Sequence, residues 1–292
     1  MPASPATARP PAKPVLLQLA HFNTLLGHPT IEREWPLVRK VGLIKASGFD
    51  GFTGRVPPVT RAIVATHGIH FWCTIDVGAA ADVGPALRAA KTAGATQINC
   101  QLADHDTPTR TALSLARRVI ATAERMGLVC GVEVHRDTCT ETPEKTYALA
   151  DAFQQAEGRR LPLVWDFSHP AVIKHIRPPF YARVAEREDL VLNSNHYHFR
   201  PYNGQHAQIP VEDRRHRRTP EFEDWLQFVD TLLAKWLARA RPGQVLWTCP
   251  EMIPNGYRLS TFTSNWRQAQ IVRNEVAKIW RRHLRRWRPP AA

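Results

Sequence analysis

Short apolar runs ending in polar residues alternate along the chain with segments whose apolar residues recur every three to four positions. The first run covers residues 15–23, and helical spacing follows over 32–46. A second run at 48–53 precedes a helix over 57–67, whose prolines stand at its start, where a missing N–H does no harm. Runs at 69–76, 96–101 and 128–135 are each followed by helical spacing, over 81–93, 107–126 and 142–156. Thr142 then Pro143 is an N-cap followed by proline at the first helical position. The sixth run, 161–166, precedes a short helix at 178–187, and the seventh covers 190–198. After a polar loop over 201–219 come a helix at 221–240, the eighth run at 244–251 and a closing helix over 263–287.

Eight strands separated by helices define an α/β fold with a parallel sheet, because parallel neighbours need a crossover. Eight units in about 250 residues is the size of a (β/α)8 TIM barrel, here a single domain over 15–288. The strand ends Thr53, Asp76, Gln101, Glu133, Asp166 and His198 follow one another by 23, 25, 32, 33 and 32 residues, close to the repeat of such a barrel. A doubly wound open sheet is the alternative, but no glycine-rich nucleotide fingerprint follows the first strand. Residues 1–14 are rich in Pro, Ala and Ser and lack an apolar stretch, so a disordered tail is expected there, not a signal peptide.

Composition narrows the class. The 292 residues are 43% apolar, enough for a sizeable core, and no run approaches the roughly 18 residues of a membrane helix. Five scattered cysteines without a CxxC pair suit buried thiols in a reducing, cytoplasmic setting. The formal charge of +13 raises a nucleic-acid partner. Much of that excess is local, in Asp213-Arg-Arg-His-Arg-Arg218 and Arg281-Arg-His-Leu-Arg-Arg-Trp-Arg288, which read as a polar loop and a solvated helix. A nucleic-acid partner is therefore not the expectation.

The chemistry gathers at strand ends, where barrels of this kind carry their sites. Strands five to eight end in Glu133, Asp166, His196 or His198, and Glu251. Three carboxylates converging on one point repel and resist ionisation, which a divalent cation resolves. Oxygen ligands with one imidazole suit Mn²⁺, Mg²⁺ or Co²⁺, and Zn²⁺ less specifically. His196 and His198 are two apart and both face inward, so spacing alone does not choose between them.

The segments Val132-Glu133-Val-His135, Val164-Trp-Asp166-Phe-Ser-His169, His196-Tyr-His198-Phe-Arg200 and Cys249-Pro-Glu251 resemble the xylose-isomerase-like TIM-barrel family of sugar phosphate isomerases and epimerases. Gly48-Phe-Asp-Gly-Phe52 looks like the family's second strand, and the likeness runs from about Val15 to Trp287. The resemblance implies one divalent metal held by Glu133, Asp166, His198 and Glu251. The ligand is the last histidine of an H-x-H pair in similar enzymes, which selects His198. It also implies His169 as a substrate contact, and a keto sugar or sugar derivative as substrate. The implied reaction is proton transfer through a metal-stabilised enediolate, with Glu133 and Glu251 as the acid/base pair. Two departures stand out. Cys139-Thr140-Glu141 occupies the region where the familiar epimerases carry a further Glu, and Arg200-Pro201 stands where many members have Lys-Asp.

Further polar strand ends line the expected pocket. His21, Asn23 and Gln101 are placed for sugar hydroxyls, with His196 deeper in the barrel. His135, Arg136, Arg200 and Arg258 suit a phosphate or carboxylate. Trp72 and Trp165 read as core. Similar enzymes are commonly homodimers or tetramers, so a homo-oligomer belongs to the expectation. The competing readings are a lyase or glycoside-cleaving relative acting on a 3-keto sugar, an apurinic-site endonuclease of the same barrel, and a non-catalytic sugar-binding or accessory subunit. The nuclease needs extra histidines at the ends of strands two and three, where this chain has Thr53-Gly-Arg55 and Thr74-Ile-Asp76.

Overall fold

The computed structural model describes residues 12–290. Eight parallel strands close into a barrel in chain order: β1 (Val15–His21), β2 (Gly51–Gly54), β3 (His70–Val77), β4 (Gln97–Leu102), β5 (Val129–Val134), β6 (Leu163–Asp166), β7 (His196–His198) and β8 (Val245–Cys249). Closure comes from β8 pairing with β1, in register from Val15 opposite Val245 to Gln18 opposite Thr248. The fold is thus the expected (β/α)8 barrel. The tail expected over 1–14 falls mostly outside the described residues. Of its last three positions, the carbonyl of Ala12 accepts from the Gly243 N–H at 2.8 Å, and Pro14 is buried.

The helices wrap the outside: α1 (Leu37–Ala46), α2 (Arg61–His67), α3 (Val83–Thr92), α4 (Thr109–Arg125), α5 (Pro143–Glu157), α6 (Ser168–Ile173), α7 (Tyr181–Val184), α8 (Glu188–Val191), α9 (Pro220–Arg239) and α10 (Asn265–Leu284). Helix α5 starts as its sequence dictates. The Thr142 hydroxyl accepts from the Lys145 N–H, Pro143 occupies the first turn, and left-handed Gly158 ends the helix. The apolar stripes of these helices face the strands and form the main core, where Trp165, Trp225 and Trp236 are buried.

A second, smaller apolar cluster fills the barrel itself. It contains Leu19, Trp72, Trp247 and Cys249. Alternation along a strand separates the two cores. Trp72 belongs to the inner cluster, while its neighbours Phe71 and Cys73 belong to the outer one. Further along the same inward-facing rows the side chains become polar, and those rows build the site.

Two segments differ from expectation. Residues 190–198 do not form one long strand. Glu188–Val191 is a helical turn, and only His196–His198 pairs in the sheet. The buried run Leu190, Val191 and Leu192 covers the barrel wall, and the Tyr197 hydroxyl donates to the Val191 carbonyl at 2.8 Å. A short buried apolar run fits a helical turn as well as a strand, and periodicity does not distinguish them. The helix expected over 178–187 shrinks to the single turn Tyr181–Val184, and α6 precedes it unannounced. Helix α6 begins directly behind Asp166, whose carboxylate accepts from the Ser168 N–H at 2.9 Å.

Candidate metal centre

Glu133 lies near the end of β5, Asp166 ends β6, His198 ends β7, and Glu251 follows β8 by two residues. Their side chains are buried, and one ligand atom from each lies within 4.8 Å of all the others. The four inward rows therefore meet at a single point.

Asp166 and Glu133 divide their oxygens between support and site. Asp166 Oδ1 accepts from the Ser168 N–H at 2.9 Å and from the Ser168 hydroxyl at 2.7 Å, while Oδ2 has no hydrogen-bond partner among the described residues. Glu133 Oε2 accepts from Asn99 Nδ2 at 2.8 Å and Gln101 Nε2 at 3.0 Å. Its Oε1 lies 2.9 Å from His198 Nδ1. Glu251 Oε2 is 3.0 Å from the same nitrogen and 2.9 Å from Arg200 Nη2, and its Oε1 lies 3.6 Å from His21 Nε2. The His198 contacts are close but misaligned for hydrogen bonding, so both ring nitrogens and Glu251 Oε2 lack a directed partner among the described residues.

Electrostatics follow from this crowding. Burial works against charge on every member. Burial raises Glu133, but the His198 charge beside it outweighs burial and lowers the carboxyl to about 2. Asp166 and Glu251 are likewise pulled below the carboxylate range against burial, mainly by the Arg200 guanidinium. Burial lowers His198, and the facing Glu251 and Glu133 override it to hold the imidazole well above its usual value. The donor set is three carboxylates and one imidazole, buried, with unpartnered oxygens aimed inward. That chemistry fits a divalent cation in place of the proton on His198.

The other expected residues fall into two groups. His21 and His169 border the cluster. His169 Nε2 is 3.2 Å from Asp166 Oδ2, and its ring centroid is 4.0 Å from that of His135. Burial lowers both His21 and His169 to about 4, despite the carboxylates beside them, so both are neutral at pH 7. Arg200 also borders it, fully buried, with Nη2 3.3 Å from Asp166 Oδ2. The second group works elsewhere. Gln101 is a support for Glu133, with its Oε1 accepting from Arg55 Nη2 at 3.0 Å. His196 sits deeper, its ring centroid 4.0 Å from Trp72 in the inner plug and 4.9 Å from His198. Arg258 is apart from the cluster, exposed on a neighbouring surface pocket of about 210 Å³ with Gly27 and Pro254. His135 is half-buried, its Nδ1 2.5 Å from the Arg136 carbonyl.

Four contributors escaped sequence reasoning: Asn99, Ser168, Arg55 and Tyr257. Asn99 was findable, since it stands two residues before Gln101 on the same inward row. Ser168 follows Asp166 by two, the spacing of an Asx turn. Tyr257 lies in the irregular segment after β8, where no periodicity exists to read. Its ring centroid is 4.4 Å from the Arg200 guanidinium carbon and 4.9 Å from that of Arg136.

No family model matches the sequence, and no curated protein matches it. Solved structures do match in fold. A xylose isomerase-like TIM barrel protein from Mycobacterium smegmatis, in complex with magnesium, aligns over 92% of this chain and 98% of its own at 14% identity, TM-score 0.56. An L-ribulose 3-epimerase aligns over 94% and 96% at 12% identity, TM-score 0.60. A D-allulose 3-epimerase from Methylomonas sp., in complex with D-allulose, aligns over 94% and 100% at 12% identity, TM-score 0.55. The chain thus shares the fold of xylose isomerase-like TIM barrels. Among the described residues, no helix is long and apolar enough to cross a membrane.

Proposed function

We propose that the protein is a divalent-metal-dependent isomerase or epimerase acting on a keto sugar or a close derivative. One observation carries this reading: four buried ligand atoms from Glu133, Asp166, His198 and Glu251 within 4.8 Å, backed by supports that commit the opposite oxygens of Glu133 and Asp166. The same four positions were singled out by the resemblance to sugar isomerases and epimerases, and epimerases are among the proteins of like fold.

When bound, a divalent ion supplies Lewis acidity that acidifies a carbon-bound proton next to a carbonyl. The chain's own residues do the rest. Glu133 and Glu251 converge on His198, each within 3.0 Å of its Nδ1, and so both border the space where a metal-bound substrate would sit. One carboxylate takes a proton from carbon, and the other returns it from the opposite face. His169 and His21, uncharged near neutral pH, offer hydrogen bonds to hydroxyls without adding charge. Burial of the cluster strengthens these interactions during proton transfer, and the carboxylates exchange their protons with solvent between turnovers.

The test is solvent deuterium exchange into ketopentoses and ketohexoses followed by proton NMR, with metal content measured on the same sample. The expected outcome is one divalent metal per chain, exchange at a carbon next to the carbonyl, and loss of at least a thousandfold in rate for Glu133→Gln or Glu251→Gln. Metal-free protein, or exchange undiminished in both variants, would overturn the proposal. Metal should also raise thermal stability. At a hundredfold excess over Kd the gain is about 2.7 kcal/mol, which Asp166→Asn should abolish.

A further inference from the structure

Arg200 has an unusual position for a cation. It is 1% exposed, its Nη2 reaches Asp166 Oδ2 and Glu251 Oε2, and the Tyr257 ring lies against it. Its Nε and Nη1 have no hydrogen-bond partner among the described residues. Burying guanidinium donors without acceptors is costly. Such donors next to a site point to a ligand acceptor.

We infer that the substrate carries a carboxylate on the carbon adjacent to the oxygen held at the metal centre, and that Arg200 anchors it. This rests on the metal-dependent reading above and sharpens its substrate class to a sugar acid or related hydroxy acid.

Two arguments favour a carboxylate there. The first is charge. Three carboxylates exceed a divalent cation by one negative charge. The buried Arg200 cancels that excess, leaving a neutral site that accepts one anion without a net repulsion. The second is reach. Arg200 touches two members of the cluster, so an anion meeting its free donors lies within a bond or two of the oxygens held there. A carboxylate attached directly to the hydroxyl-bearing carbon satisfies that. A phosphate at the far end of a sugar chain lies several bonds further out. The candidates for such a phosphate are Arg136, exposed and 4.9 Å from the Tyr257 ring centroid, and the half-buried His135.

The experiment is calorimetric titration of the Mn²⁺-loaded protein with three three-carbon probes: glycerate, dihydroxyacetone and dihydroxyacetone phosphate. Glycerate is expected to bind at least tenfold tighter than either other probe. Arg200→Gln should erase that preference while Mn²⁺, counted by electron paramagnetic resonance, stays at one per chain. Arg136→Gln should leave the preference intact. The inference is overturned by equal affinities for glycerate and dihydroxyacetone, by a preference for the phosphate, or by no heat with millimolar glycerate. The wild-type series decides the matter even where Arg200→Gln fails to fold. Wild-type protein that binds no Mn²⁺ would instead remove the metal-dependent function, and this inference with it.

Discussion

Glu133 turns one oxygen toward the site because Asn99 and Gln101 hold the other. Gln101 is itself held, since its Oε1 accepts from Arg55 Nη2, and Arg55 is paired in turn with Asp76. The chain of contacts fixes which end of the Gln101 amide faces Glu133, and so fixes the carboxylate's rotamer. Supports of this kind are typically worth ten- to a hundredfold in metal affinity. Gln101→Leu is therefore expected to weaken Mn²⁺ binding about tenfold or more with the circular dichroism spectrum unchanged, read by metal competition. An unchanged affinity would leave Gln101 as a mere lining residue. This is also the scale at which the sequence was only half legible. An inward glutamine at a strand end looks the same whether it meets a sugar hydroxyl or a carboxylate. Its true neighbour is 32 residues away in sequence, on an adjacent strand, and register alone brings them together.

At the scale of elements, helices with caps and stripes were easy to read, and the short buried pieces were not. Thr142 and Pro143 announce α5 by chemistry that depends on no other part of the chain. The run over 190–192 announces only burial, so its helical turn was invisible beside the strand it imitates. The segment between β7 and α9 shows how such a piece is fixed. Gly204 has φ +77°, and a Cβ there would lie 2.0 Å from the Ile176 carbonyl oxygen. Gln208 ties the same segment to the loop after β8, donating to the Ile253 carbonyl at 2.9 Å and accepting from its N–H at 2.7 Å. Gly204→Ala must displace backbone that supports the loop carrying Tyr257. Gly243 has a similar φ of +71° but open space around its missing Cβ. Gly243→Ala should cost about 1 kcal/mol, the ordinary strain of a left-handed residue. Gly204→Ala should cost about 3 kcal/mol or more in urea unfolding. Equal costs would show that the close approach to Ile176 relaxes freely.

Across the whole molecule, the barrel interior grades from an apolar plug to a charged mouth, and histidines occupy the boundary. His196 rests on Trp72 in the plug, and His21 and His169 border the carboxylates. Burial lowers His21 and His169 to about 4, and His196 well below its usual value. The sign of the consequence is fixed by linkage. The unfolded chain protonates these imidazoles near pH 6.5, and the folded chain refuses the protons until about pH 4. The contribution of these histidines is therefore full above pH 6.5 and is lost as pH falls toward 4. Each group shifted to about 4 is worth up to about 3 kcal/mol over that window. His198 works in the opposite sense, its folded-state value being raised, but it is protonated in both states below pH 6.5 and so drops out of this window. The carboxylates, with folded values lowered, add their own losses only below about pH 4.5. Two such groups together reach the lower end of the 5–15 kcal/mol that holds an ordinary domain folded, so chelator-treated protein should be far less stable near pH 4 than at pH 7.5. Urea titrations at pH 7.5, 6 and 5 should show the midpoint falling at each step. His169→Gln, which keeps the volume but does not titrate, should flatten the fall by up to about 3 kcal/mol. A midpoint independent of pH from 7.5 to 5 would mean that the histidines open to water, and that the interior is not the dry, graded barrel that the proposed chemistry requires.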